Sequence, residues 1–369
     1  MMADVQEELN NRFAGRDSVV IDKNMSAEDQ SLLAFIKDLA PKIMVIGAGG
    51  SGSNTMTRLS ELGVAGITTV AANTDAQHLL MTKAQKKILL GKKRTRGLGA
   101  GSNPTVGEQA AEESFEDIKN AVAGMDLVFI TCGMGGGTGT GSAHVLAKAA
   151  KAQGAIVVAI TTLPFSSEGP KRLANAVEGL SKLKKEADTT IAIRNDKLLE
   201  FVGDLPLNQA FKACDMVLAN SVKGIVELIT KPGLVNLDFA DIRTVLEKSG
   251  SAVIGVGEVD DNQQKDRLEM AAEKALNSPL LDVDLTKANK ALVNITGGSG
   301  MTLGEAERAV NKIAQRIAKD AHIIWGATID EGMGNKSVRV LAVLAGVGEK
   351  EAKSSIQVED EALDEIGEV

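Results

Sequence analysis

Gly133-Met134-Gly135-Gly136-Gly137-Thr138-Gly139-Thr140-Gly141 carries six glycines in nine residues, between a strand at 126–131 and a helix at 140–153. Each glycine costs backbone entropy, so structure alone rarely calls for such density. A run of bare N–H groups wrapping several phosphates does, with the Thr138 and Thr140 hydroxyls as further donors. Two more glycine loops open helices in the same way. Gly47-Ala-Gly-Gly-Ser-Gly-Ser-Asn54 follows the short buried strand Lys42–Gly47, and Gly97-Leu-Gly-Ala-Gly-Ser-Asn-Pro104 leads into a helix. Three anion-accepting helix starts on one sheet suggest a triphosphate rather than a single pyrophosphate. Taken alone, Gly47-x-Gly49-x-x-Gly52 is the dinucleotide fingerprint, and Asn73-Thr74-Asp75 supplies an acid just past the second strand. An NAD-dependent oxidoreductase therefore stands as the rival reading, although it leaves the other two loops unexplained. The Walker lysine motif is absent, which excludes a P-loop NTPase.

Outward from these loops, strands and helices alternate. Strands are expected at 67–72, 86–90, 155–161 and 189–193, with helices to Glu61 and at 104–122 and 168–185. That alternation implies a parallel sheet covered by helices. Leu207, Phe211, Cys214, Leu218, Val222, Ile225 and Ile229 then keep helical spacing to Thr230, where Lys231-Pro-Gly233 stops it. So apolar a helix belongs between two packed bodies. A short helix at 239–248 precedes strands at 251–257, 290–296, 323–329 and 338–347, with helices at 264–276 and 303–318. The expected organisation is an arm and amphipathic helix (1–41), a Rossmann-like α/β nucleotide domain (42–206), a central helix (207–230), a loop and helix (231–249), a smaller α/β domain (250–347) and an acidic tail (348–369).

Composition narrows the function. The chain has 369 residues, 44% hydrophobic and 24% charged, ordinary for a globular protein. Two cysteines rule out a disulfide framework, and three scattered histidines argue against a zinc site. No apolar run is long enough to span a membrane and the N-terminus is no secretory signal, so a cytoplasmic location is expected, without direct membrane insertion. The net charge of −8 is concentrated in the tail, and Tyr is absent. Nucleic acid is therefore an unlikely partner on electrostatic and stacking grounds alike.

These motifs closely resemble the tubulin/FtsZ family, and within it the archaeal FtsZ branch. Gly135–Gly141 matches the tubulin-like signature. Asn73-Thr-Asp-Ala-Gln77, Gly97–Pro104, Pro164-Phe165, Glu168-Gly169 with Arg172, Asn195-Asp-Lys-Leu198 and Asn236-Leu-Asp-Phe-Ala-Asp241 follow in family order, so the likeness covers about 42–347. It implies a GTP/GDP-binding, GTP-hydrolysing cytoskeletal protein of the cell-division ring. Phosphate contacts would come from Gly49, Gly50, Ser51, Asn73, Asp75, Gly99, Ala100, Gly101, Asn103 and Gly135 through Thr140. Pro164, Glu168 and Arg172 would lie near sugar and phosphates. The i, i+4 spacing of Glu168 and Arg172 puts them on one helix face, where the plainer reading is a surface ion pair. Asn54, Asn195, Phe211 and Asp215 match guanine contacts. Phe211 alone would pass for ordinary core, but a carboxylate one turn away accepts from the N1–H and N2–H₂ edge that adenine lacks.

Asn236, Asp238 and Asp241 match the family's catalytic loop, which enters the next subunit's site; the plainer reading of the two acids is helix capping. Head-to-tail contact of that kind does not close and gives filaments. Mg²⁺ would sit on phosphates and water, since no metal-ligand cluster occurs. Arg194 and His144 depart from frequent family prolines. In the tail, Ile356, Val358, Leu363, Ile366 and Val369 are apolar spots among acids, read either as plain disorder or as a peptide for a SepF-like membrane-tethering partner. The resemblance leaves a cell-shaping relative of the same superfamily as the second reading.

Overall fold

The computed structural model describes residues 41–347 except 203–206, 232, 236, 261–265, 282 and 334–336. The expected helix at 27–40, the tail and Asn236 lie outside the described residues. The first half builds β1 (Ile43–Ala48), α1 (Gly49–Glu61), β2 (Ile67–Asn73), α2 (Ala76–Met81), β3 (Lys86–Leu89), α3 (Lys92–Thr95), α4 (Pro104–Glu113) and α5 (Phe115–Val122). It continues with β4 (Leu127–Gly133), α6 (Thr138–Ala152), β5 (Ile156–Leu163), α7 (Pro170–Glu186), β6 (Thr189–Arg194) and α8 (Asn195–Val202). The second half holds α9 (Leu207–Thr230), α10 (Phe239–Leu246), β7 (Gly250–Asp260), α11 (Arg267–Leu276), β8 (Lys290–Gly297), α12 (Leu303–Ala314), β9 (His322–Ile329) and β10 (Ser337–Ala345).

All these strands join one ten-stranded sheet in the order β3-β2-β1-β4-β5-β6-β7-β10-β8-β9. From β3 to β7 every pairing is parallel; β10 then runs antiparallel to β7 and β8. The two α/β bodies anticipated from the pattern thus share a single sheet, joined where Thr189–Ile191 meet Gly250–Ala252. In the parallel half the strands β1 and β4 are almost wholly buried, as near-continuous apolar runs require. Helix α9 lies across both halves. Its Leu218, Val222, Ile225 and Val226 share a core with Met56 and Leu59 of α1 on one side and with Leu292, Leu341 and Val343 on the other. The free edge at β3 is cationic. Residues 83–96 hold seven Lys and Arg and no acid, and every one of these cations is exposed. Lysines on an outer strand discourage edge-to-edge pairing.

Several boundaries differ from the periodicity. The expected helix at 104–122 breaks at Ser114, whose hydroxyl accepts a hydrogen bond from the Gly91 N–H at 3.0 Å while its backbone leaves helical geometry. The expected helix at 168–185 starts only at Pro170. Ser166–Glu168 forms a 3₁₀ turn, and Gly169 (φ 94°) breaks the chain direction before the proline at the first helical position. Glu168 and Arg172 are therefore not on one helix. Helix α12 stops at Ala314, short of the expected 318. Helices α2 and α3 are too short to leave a periodic signal.

Candidate functional site

The three glycine loops meet at the carboxyl ends of β1 and β4, where open parallel sheets bind ligands. Their glycines have two different causes. Some are needed for contact between the loops: a Cβ at Gly49 would lie 2.7 Å from the Gly139 nitrogen, at Gly137 2.9 Å from the Asn103 nitrogen, and at Gly141 2.0 Å from the Pro104 carbonyl oxygen. Others face open space, since a Cβ at Gly99, Gly101 or Gly136 would meet nothing within 4 Å. Gly50 is nearly as free, with only the His78 ring 3.7 Å away. The second group is where a phosphate can approach the backbone.

Helices α1 and α6 begin without a side-chain cap, so their first N–H groups and the positive end of each dipole are available to an anion. Helix α4 differs from the expectation. The Asn103 side chain accepts from the Thr105 N–H at 3.0 Å, and Pro104 has no N–H to offer. Two uncapped starts, not three, face the cleft. The threonines also depart from a simple donor role. The buried Thr140 hydroxyl accepts from the Gly135 N–H at 2.9 Å and shapes the loop from inside. The Thr138 hydroxyl lies 2.6 Å from that of Thr74. Asn73 is buried: its Oδ1 accepts from the Asp75 N–H at 3.2 Å and its amide nitrogen lies 3.4 Å from Ser53 Oγ. Asp75 caps α2 by accepting from the His78 N–H at 2.9 Å. Gly99 and the partner loops are held in turn, because the Gly99 N–H donates to the Thr74 carbonyl. Ala100 is buried beneath Gly137.

At the other side of the cleft, Pro164 packs on Gly135 and Glu168 accepts from the Phe165 N–H at 2.9 Å while ion-pairing with Arg172. Phe211, on the first turns of α9, stands edge-on to Phe165 with centroids 5.3 Å apart and leaves 40% of its surface exposed. Asp215, one turn on, is buried; its Oδ1 accepts from Ser51 Oγ at 3.2 Å and its Oδ2 from Asn54 Nδ2 at 3.1 Å. Burial pushes its carboxyl above the usual range, against the pull of those two hydrogen bonds and of the Arg58 charge. Asn195 opens α8 with its Oδ1 buried and without a hydrogen-bond partner among the described residues. Such an orphaned acceptor fits a donor that arrives with a ligand. The residues present therefore suit a purine nucleoside phosphate: open backbone for phosphates, an exposed ring for the base, an acceptor pair and an unfilled acceptor.

His78 was missed by the sequence reading. Its Nε2 lies 3.3 Å from Asn54 Oδ1 and its Nδ1 3.4 Å from the Asn73 amide nitrogen. The signal was available, three residues after the capping Asp75. His144, one of the departures from the family pattern, lies 3.0 Å from Glu108 Oε1, and Lys182 pairs with the same carboxylate at 2.8 Å, tying α4, α6 and α7 together below the loops.

Asp238 and Asp241 are elsewhere. Asp238 occupies the N-cap position of α10 but its side chain makes no capping bond, and both carboxylates are exposed without a side-chain partner among the described residues. The preceding loop is docked on β9, with the Leu234 N–H donating to the Ala327 carbonyl at 2.7 Å.

A family model for the tubulin/FtsZ GTPase domain matches residues 42–203, and one for the FtsZ C-terminal domain matches 250–348. The chain belongs to the tubulin/FtsZ family. Within it the likeness is to FtsZ cell-division proteins. Cell division protein FtsZ 1 of Methanocaldococcus jannaschii is 54% identical over 323 residues, covering 88% of each chain. Cell division protein FtsZ of Haloferax mediterranei is 50% identical over 349 residues, 92% of each. Among solved structures, the empty FtsZ dimer of M. jannaschii superposes with a TM-score of 0.82 over 87% of this chain and 93% of that one. The GTPγS-bound protofilament of CetZ2 from Haloferax volcanii, 23% identical over 88% of this chain and 99% of that one, shares the fold at a TM-score of 0.75. No helix among the described residues of this FtsZ-family chain is long and apolar enough to cross a membrane.

Proposed function

We propose that this chain is a GTP-dependent, self-assembling GTPase of the cell-division ring whose active site is completed by the next subunit. One observation carries the reading. Helix α9 has 24 residues, hence spans about 36 Å, with Phe211 and Asp215 near its start and the loop to Asp238 and Asp241 beyond its end. Two exposed carboxylates without a side-chain partner among the described residues, at the far end of that helix from their own glycine loops, are placed to serve another molecule's nucleotide rather than their own.

In this reading, open N–H groups around Gly50, Gly99, Gly101 and Gly136 and at the starts of α1 and α6 hold the phosphates. Phe211 stacks on guanine, Asp215 accepts from its N1–H and N2–H₂ edge, and Asn195 accepts a further donor. The neighbour's Asp238 and Asp241, with Asn236, orient the attacking water, and water exclusion at the contact strengthens each of these interactions. Mg²⁺ would neutralise charge on the phosphate oxygens. Exposed Leu80, Met81 and Leu98 around the cleft and Leu234 beside the acidic loop offer apolar surface for the contact. Because the two ends differ, the contact repeats and the product is a filament. A cytoplasmic mid-cell ring and a SepF-like tether engaging the tail complete the proposal. Identities of 54% and 50% to proteins named for cell division favour division over the cell-shape reading.

The test is GTP turnover per molecule across a wide protein concentration range. Turnover should rise from near zero above a threshold. Asp241→Ala should bind GTP normally and hydrolyse almost none. A constant, substantial rate at high dilution would remove the shared site.

A further inference from the structure

We propose that His78 is a positioning residue for base recognition: it clamps the Asn54 amide and through it aims the Asp215 carboxylate. The inference rests on the guanine-site reading above and extends it to a residue outside that set. The polarity of the hydrogen bonds defines it. Asn73 is held in one orientation because its Oδ1 accepts from the Asp75 N–H at 3.2 Å. Its amide nitrogen therefore faces His78 Nδ1 at 3.4 Å, and Nδ1 has to accept. The proton of the neutral ring then sits on Nε2, which donates to Asn54 Oδ1 at 3.3 Å. That bond turns the Asn54 nitrogen toward Asp215 Oδ2, 3.1 Å away, while Ser51 Oγ donates to Oδ1 at 3.2 Å. Each link donates in the same direction, from the buried end of β2 to the carboxylate on α9.

The backbone gives this chain its footing. Asn73 is buried and ends β2, whereas Asn54 is exposed on α1 and, among the described residues, has no other side-chain bond to fix it. Without the ring, Asn54 would be tied at one end only, and Asp215 would lose a fixed donor on one oxygen. The same ring lies 3.7 Å from where a Gly50 Cβ would be, so it also walls the Gly47–Asn54 loop. One imidazole thus borders both the space in front of the Gly50 backbone and the hydrogen-bond chain that orients the base acceptor.

Nucleotide binding by the full chain tests this, with GTP, inosine triphosphate (which lacks the 2-amino group) and ATP as probes. His78→Leu should weaken GTP binding about tenfold, the loss of a pair of aligned hydrogen bonds. It should weaken inosine triphosphate less, so that the ratio between them collapses. His78→Gln, whose amide can donate to Asn54 Oδ1, should restore both affinity and ratio. If His78→Leu does not fold, His78→Asn, polar but too short to reach Asn54, takes its place. Asp215→Ala is measured alongside. If Asp215→Ala loses base preference while the His78 variants keep theirs, or if His78→Gln is no better than His78→Leu, His78 has no positioning role. If Asp215→Ala itself keeps its preference for GTP, the guanine-site reading falls and this inference with it.

Discussion

Replacing Gly141 by Ala probes the contact that holds the Gly133–Gly141 and Gly97–Pro104 loops together. The new Cβ would lie 2.0 Å from the Pro104 carbonyl oxygen and 2.5 Å from the Glu108 nitrogen. Both obstacles are backbone, so no side chain can swing aside. Ordinary contact begins at 3.4 Å, and helices α4 and α6 must part by about 1.4 Å. Alanine would otherwise gain about 1 kcal/mol in a helix over glycine. Overpacking a rigid contact costs about 1–3 kcal/mol, and here it acts on two backbones at once. The net expectation is a loss of roughly 2 kcal/mol, or a melting temperature lower by roughly 4–8 °C. Parting α4 from α6 also draws Ala100 and Asn103 away from Gly137, so GTP affinity should fall by at least about tenfold. Thermal unfolding and equilibrium GTP binding measure both effects. Gly304→Ala is the control: on α12 its nearest obstacle is the Arg308 guanidinium at 3.7 Å, and it should gain about 0.5–1 kcal/mol. A Gly141→Ala protein as stable as the parent, with unchanged GTP affinity, refutes the argument that this glycine exists for loop-to-loop contact.

Asp215→Ala should abolish the preference for GTP over ATP in competition binding. Because burial raises the Asp215 carboxyl, protonation removes its acceptor at a pH above the usual carboxylate range; GTP affinity and the GTP-to-ATP ratio should fall together on acidification. Glu305 closes a reciprocal cap on α12, accepting from the Thr302 N–H at 2.9 Å while its own N–H donates to Thr302 Oγ1 at 3.3 Å, and it pairs with the buried Arg267. Glu305→Ala should cost about 2 kcal/mol by thermal unfolding. Burial pushes the Glu305 carboxyl up, but Thr302 and Arg267 outweigh it and hold it below the ordinary value of 4.5. Its stabilisation is therefore complete above that value and lost as pH falls through the lower folded-state one, so the gap to the variant should close only in that acidic window.

Much of the molecule was legible because it obeys local rules. The strand–loop–helix units around Gly47–Asn54 and Gly133–Gly141 announce themselves by glycine density, and α9 by unbroken helical spacing that ends at Thr230 as expected. What could not be read depends on contacts far apart in sequence. Nothing local says that Gly137 and Gly141 serve packing whereas Gly136 serves open space. The fusion of both halves into one sheet rests on three residue pairs between β6 and β7. Asn103 capping its own helix, and Thr140 bonding back to Gly135, are choices between donors that only the folded loop decides. His78 escaped because a lone histidine carries no pattern until Asn73 and Asn54 stand on either side of it.

The cationic rim along β3 gives the molecule an electrical sidedness. Across residues 41–347 acids and bases nearly balance, so gathering seven positive side chains on one flank leaves the rest of that body net negative. Two copies meeting rim to rim repel over about 8 Å at physiological ionic strength, whereas rim against an acidic flank attracts. In the proposed filament, strings of subunits lying side by side would thereby be pushed toward a staggered or oppositely facing arrangement, and raising the salt concentration should relax that discrimination before it disturbs the apolar contacts along each string.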